Sequence, residues 1–198
     1  PRLPDVIRTT REHLPKEVVV LCTNGLLLRR MGDEFWRALA SCDVDLLISP
    51  YPVRVDYDGL AELARARGVR TAFTQGITDT VEGKEAFLRL GLDPEGKCDR
   101  ARSFVSCPFG GSYLQLARGA IWPCQVSAHH GFLARRFGYD MHDSPGDSLP
   151  LASIGLASDI EAFRRGSHPM CHYCDNEALR VAPWGHSRLD ADEWLAPR

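Results

Sequence analysis

The chain lacks a long apolar run. Its longest ones, Val18 to Cys22 and Asp45 to Ser49, are strand-sized and far short of the roughly 20 residues a membrane-spanning helix needs. It also lacks charge of one sign. Twenty-four Lys and Arg stand against 26 Asp and Glu, a formal net charge of −2, so no electrostatic footprint for nucleic acid or an anionic membrane is expected. No basic start followed by an apolar core marks an export signal, and the cytoplasm is the expected location. There is no internal repeat and no low-complexity tract. Seven cysteines, an odd number, argue against a complete secreted disulfide framework; in a reducing compartment such cysteines serve more often as ligands or catalysts. The first residue is Pro1 rather than Met, which leads us to expect a fragment or a processed product.

What is present is unevenly placed. Cys22 and Cys42 sit among apolar neighbours, where buried small hydrophobes are the ordinary reading, while five cysteines and six of the seven histidines fall after residue 97. Residues 1–92 read as alternating helices and strands. Pro4 suits a first helical turn, with Val6, Ile7 and Leu14 forming one face up to Pro15. Val18 to Cys22 reads as a buried strand closed by Thr23-Asn24-Gly25. Phe35, Trp36, Leu39 and Ala40 carry helical spacing over 33–41, and Val44 to Ile48 reads as a second buried strand ended by Ser49-Pro50. Asp58 is placed to cap a helix with the face Leu60, Leu63 and Ala64 and a stop at Gly68, and Val69 to Thr74 follows as a third strand. Short helices between continuous apolar strands are the pattern of parallel βαβ units, but three strands do not close a barrel.

After Gly91 the periodicity fades. Residues 93–112 and 167–185 read as irregular, and 138–157 as loop-rich. Tyr113 to Trp122 fits a β-hairpin turning at Arg118-Gly119, Ser158 to Glu161 has capping-box spacing for a short helix ending at Gly166, and Asp190 to Leu195 suits a last helical turn. A region this poor in long apolar elements commonly needs a metal or disulfides for stability.

Cys171-His172-Tyr173-Cys174 is a C-x2-C pair on a predicted loop, where a tight turn can aim both sulfurs at one metal centre. Cys107 and Cys124 flank the predicted hairpin and bring the set to four thiolates. The bland reading of these two is a pair of buried hydrophobes. Soft thiolates select an iron–sulfur cluster or zinc, and four sulfurs alone do not decide between them. His129, His130 and His172 are candidates for a mixed Cys/His zinc site, though such histidines more often donate to a ligand from outside or simply sit on the surface. Cys98 reads as a spare thiol or a replacement ligand. Pro183-Trp184-Gly185 reads as a hydrophobic lid over the site, and Arg135-Arg136 and Arg164-Arg165 as solvated helix faces more often than contacts for an acidic substrate.

Cys107, eleven residues, Gly119, four residues, Cys124, then Cys171-x2-Cys174, resembles the SPASM/twitch auxiliary-cluster region of radical SAM enzymes, in the shorter twitch form with a single [4Fe-4S] cluster. Val19 to Gly25 is similar to a barrel strand with a Thr-Asn-Gly end, and Asp45 to Ser49 to the next strand, so the resemblance covers nearly the whole chain. It implies an α/β fold: residues 1–95 as the C-terminal part of a parallel (βα) barrel and residues 96–198 as a small Cys-rich domain of a β-hairpin plus helix. It also implies an enzyme that generates a 5′-deoxyadenosyl radical from S-adenosylmethionine, with the auxiliary cluster serving electron transfer or structure. Cys107, Cys124, Cys171 and Cys174 would be its metal ligands, and Asn24 and Ser49, at strand C-terminal ends, would line the S-adenosylmethionine pocket; ordinary strand-end capping is their bland reading. Expected partners are a small-molecule or peptide substrate and an electron donor such as flavodoxin or ferredoxin. The C-x3-C-x2-C motif that cleaves S-adenosylmethionine does not occur in the chain, so the segment by itself is expected to be inactive. The alternative from another class is a structural zinc-binding module, with four cysteines or a Cys/His mixture as ligands and no catalysis.

Overall fold

A computed structural model describes residues 2–74 and 85–196. The chain is mixed α/β and divides into two compact units, Pro1–Phe87 with Ala182–Gly185, and Leu88–Val181 with His186–Arg198.

In the first unit, apolar β-branched runs separated by amphipathic helices fold as that pattern dictates. Helix α1 (Leu3–His13) leads into β1 (Val19–Thr23), α2 (Asp33–Ser41), β2 (Val44–Ile48), α3 (Tyr57–Ala66) and β3 (Thr71–Phe73). The three strands form an open parallel sheet in the order β1-β2-β3, with Val19 opposite Val44 and Leu46 opposite Thr71. Parallel pairing follows from the helical crossovers, which return each strand to the same end of the sheet. Val44, Leu46 and Ile48 of β2 pack against Phe35, Trp36 and Leu39 of α2 and Leu60 and Ala64 of α3. Each fully buried Leu or Ile here contributes about 1.5–3 kcal/mol.

Three local expectations in this unit need correction. The cap of α3 is Asp56, whose carboxylate accepts the Gly59 N–H at 2.9 Å; Asp58 lies inside the first turn, where its charge suits the helix dipole. Strand β1 is an edge strand and only half covered, so Val20 is exposed and Cys22 is an exposed thiol rather than a buried one; Cys42 is buried as expected. Trp184 lies in this unit, tilted against Tyr51 with ring centroids 6.2 Å apart, and is not among the residues that line the cysteines' cavity.

The second unit is built from shorter pieces. Strand β4 (Ala86–Leu92) pairs with β8 (Cys174–Pro183). A three-stranded antiparallel sheet comprises β5 (Gln115–Ala117), β6 (Ala120–Trp122) and β7 (Leu149–Pro150). The β5–β6 hairpin turns where expected, with Arg118 at φ 53° and Gly119 at φ 71°, the two left-handed residues a type I′ turn requires. Helices α4 (Arg100–Ser106), α5 (Gln125–Phe137) and α6 (Ala157–Arg165) complete the unit, with short 3-10 helices at Pro169–Tyr173 and Ala191–Glu193.

Here the irregular readings of 93–112 and 167–185 give way to α4 and β8. Neither element shows the hydrophobic period of its class: Val105 of α4 is exposed while Ser103 is buried, and β8 mixes Asp, Asn, Glu and Arg with its apolar residues. The α6 start is also two residues earlier than a Ser158 cap suggested. Asp159 accepts the N–H groups of Gly155 and Leu156 at 2.9 and 2.8 Å and so satisfies the free amides before the helix. No closed barrel forms among the described residues, and none of their helices is long and apolar enough to cross a membrane.

Candidate metal centre

Four of the five cysteines in the second half line one cavity, and they are the four singled out by spacing: Cys107, Cys124, Cys171 and Cys174. Each arrives from a different local structure. Cys107 is the C-cap of α4, not the base of a hairpin strand as the spacing suggested; its N–H donates to Phe104 O at 3.2 Å. Cys124 follows β6 directly and caps the N-terminus of α5, its Sγ accepting the Ser127 N–H at 3.4 Å. Cys171 lies in the 3-10 helix and its Sγ accepts the His168 N–H at 3.5 Å. Cys174 opens β8.

The pieces are tied together by buried polar bonds. Ser103 of α4 donates its hydroxyl to Cys174 O at 2.7 Å, and Asn176 of β8 donates to Ser103 O at 2.6 Å. Asp147, 1% exposed, accepts the Met170 N–H at 2.6 Å and the Ser144 N–H at 2.8 Å, while its own carbonyl accepts the Ser127 hydroxyl at 3.3 Å. One residue thus joins the helix carrying Cys124 to the turn carrying Cys171. Gly110 holds the Cys107 turn tight: a Cβ there would stand 2.5 Å from Phe104 O.

The rest of the cavity wall is largely apolar: Phe104, Phe109, Pro123 and Met170. Burial pushes the thiols up. Cys174 rises well above its ordinary value, first through desolvation and then through the nearby Cys124, Cys171, Cys107 and Cys98 sulfurs. Cys171 is pushed up to about 11, again by burial first, with its bond from the His168 amide pulling the other way. Cys124 is raised by burial against the two α5 amides that favour its thiolate. Cys98 is near enough to act on Cys174 but is not on the cavity wall; burial raises its thiol, helped by Asp93 and Asp175.

Of the histidines the sequence proposed, none lines this cavity. His129 is exposed, beside Phe132. His130 is buried but faces Ser127 O at 2.9 Å and Asp143 at 3.5 Å. His172 stacks edge-on with Tyr173. The histidine on the wall is His168, which sequence reasoning passed over; its place three residues before Cys171, in His-Pro-Met-Cys, was the available signal. Asn24 and Ser49 stand at the C-terminal ends of neighbouring parallel strands. The Asn24 carboxamide oxygen accepts the Leu26 N–H at 3.2 Å, and the Ser49 hydroxyl pairs with that of Thr74 at 2.9 Å.

The donor set fits an iron–sulfur cluster in chemistry: four soft sulfurs, largely buried, in apolar surroundings, with backbone N–H groups already turned toward two of them. Among the described residues no three His, Cys, Asp or Glu side chains are arranged to grip a metal ion directly. The cavity that the cysteines line holds about 40 Å³. No protein-family model matches the chain, and no curated protein matches it.

Proposed function

We propose that this chain is the auxiliary-cluster part of a radical SAM enzyme, with one [4Fe-4S] cluster held by Cys107, Cys124, Cys171 and Cys174. The observation that carries the reading is the meeting of these four thiols, and no others among the described residues, on one apolar cavity wall. A single zinc ion needs all four sulfurs at about 2.3 Å from one point, whereas a cluster needs them spread around a group several atoms across. The resemblance in cysteine spacing is what favours the cluster over a structural zinc module, and metal analysis separates the two.

When bound, such a cluster supplies one-electron transfer or holds the fold together. The chain's own residues set the conditions. Phe104, Phe109, Pro123 and Met170 exclude water, which tunes the potential of any redox group there. The Ser127 and His168 amides donate to Cys124 and Cys171, and the positive end of α5 favours negative charge on Cys124. Four protein thiolates leave no open position for substrate, so electron transfer or structure is the role we assign. In the first unit, Asn24 and Ser49 at the strand ends are proposed to face S-adenosylmethionine in the complete enzyme. A small-molecule or peptide substrate, a flavodoxin or ferredoxin donor and a cytoplasmic location belong to the same proposal.

Anaerobic reconstitution with iron and sulfide tests the reading. The expected outcome is about four irons and four sulfides per chain with broad visible absorption, strongly reduced in Cys174→Ala. A colourless protein holding one zinc per chain would sink it and leave a structural module.

A further inference from the structure

Tyr113 carries a hydroxyl with no acceptor for its proton. It lies between the turn that presents Cys107 and strand β5. Its ring stands edge-on to that of Phe109, a residue of the four-cysteine cavity, with centroids 5.6 Å apart. The hydroxyl oxygen is buried and has no hydrogen-bond partner among the described residues. Buried tyrosine hydroxyls ordinarily find one, because a phenol stripped of water and left unpaired destabilises the fold. Burial, more than any other influence, holds this phenol above its ordinary value, so it keeps its proton through the neutral range and is a donor. The amide of Gln125, the first residue of α5, pulls the other way without completing a hydrogen bond. The Cys124 and Cys107 sulfurs are near enough to act on the hydroxyl and add to the rise. A donor thus stands unpaired beside two of the four thiols, where a loaded site would supply the missing acceptor.

We infer that the Tyr113 hydroxyl donates a hydrogen bond to sulfur on the Cys124 side of the loaded cluster and so helps to set its reduction potential. The inference rests on the cluster reading above. It adds no ligand to the four thiolates, since an O–H donor binds sulfur and not iron. Each electron taken up adds negative charge to the sulfurs, so a donor stabilises the reduced cluster more than the oxidised one and raises the potential. The Ser127 and His168 amides serve Cys124 and Cys171 from the backbone. Tyr113 adds a side-chain donor, which substitution can remove.

The test is an anaerobic redox titration, at neutral pH, of the iron- and sulfide-reconstituted protein in three forms: wild type, Tyr113→Phe, and protein with a tyrosine fluorinated beside its hydroxyl in place of Tyr113. Tyr113→Phe keeps the ring against Phe109 and removes the donor, so the midpoint potential should fall with iron and sulfide content unchanged. Fluorine makes the phenol a stronger donor at nearly the same size, so that potential should rise. Shifts of opposite sign are a result that packing alone does not produce. The fluorinated protein decides by itself if Tyr113→Phe fails to load. Potentials equal to wild type, or shifted the same way in both variants, overturn the inference while leaving the cluster reading intact. Wild-type protein that takes up no iron overturns both.

Discussion

At the scale of single residues, burial favours the protonated form of the cavity's thiols. Burial raises Cys171 from 9.0 to about 11, and Cys174 and Cys124 shift in the same direction. In the metal-free protein a raised thiol contributes stability in full below its unfolded value and loses it as pH climbs through the folded one. The denaturation midpoint of metal-free protein should therefore fall between about pH 9 and pH 11, and Cys171→Ser should flatten that part of the profile. A wild-type midpoint unchanged over the window would contradict the buried placement of these thiols. Loading works in the opposite sense, because each thiol must release its proton to bind metal.

Two glycines separate roles at the scale of elements. Gly119 adopts φ +71° in the β5–β6 turn with nothing within 4 Å of the position a Cβ would take, so Gly119→Ala isolates the backbone cost of about 1–2 kcal/mol. Gly110 has an ordinary φ but no room, since its Cβ would press on Phe104 O in the turn that presents Cys107. Urea unfolding should register Gly119→Ala as a modest loss of stability with iron uptake unchanged. Iron analysis should register Gly110→Ala as reduced uptake. If the two variants lose iron equally, the Cys107 turn is not the sensitive one. The hairpin was legible in advance because Arg118-Gly119 between apolar triplets is local turn chemistry. Helix α5 was legible only at its solvated Arg135-Arg136 end, because its buried face is Ser127, Ala128, His130 and Ala134, too small and too polar to show as a hydrophobic stripe.

At the scale of the whole molecule, the two units draw their stability from different sources. Thirteen buried residues form one continuous core in the first, whereas the second has two separate clusters of three among the described residues. Small cores of that kind leave little burial to offset the entropy of ordering the second unit, and the proposed metal staple would supply the missing stability. Iron and sulfide should accordingly slow amide exchange throughout α4, α5 and the turn bearing Cys171, and leave α2 and β2 unchanged. Hydrogen exchange with and without reconstitution measures this. Uniform change across both units, or none in the second, would count against the cysteines as its staple.

The sequence by itself determined what neighbours along the chain decide: the β/α alternation of the first unit, the Arg118-Gly119 turn, and the four thiols singled out by their spacing. Local propensity and a period of two or 3.6 are enough for the elements. Tertiary structure decided the rest. It placed Trp184 beside Tyr51, made Cys22 an exposed edge-strand thiol, and turned His130 toward Asp143. It also made Asp147 the tie between α5 and the Cys171 turn, and put His168 on the cavity wall with its Nε2 unpaired. Each of these depends on partners distant along the chain, and nothing in local sequence encodes which distant carbonyl or ring a buried polar side chain will meet.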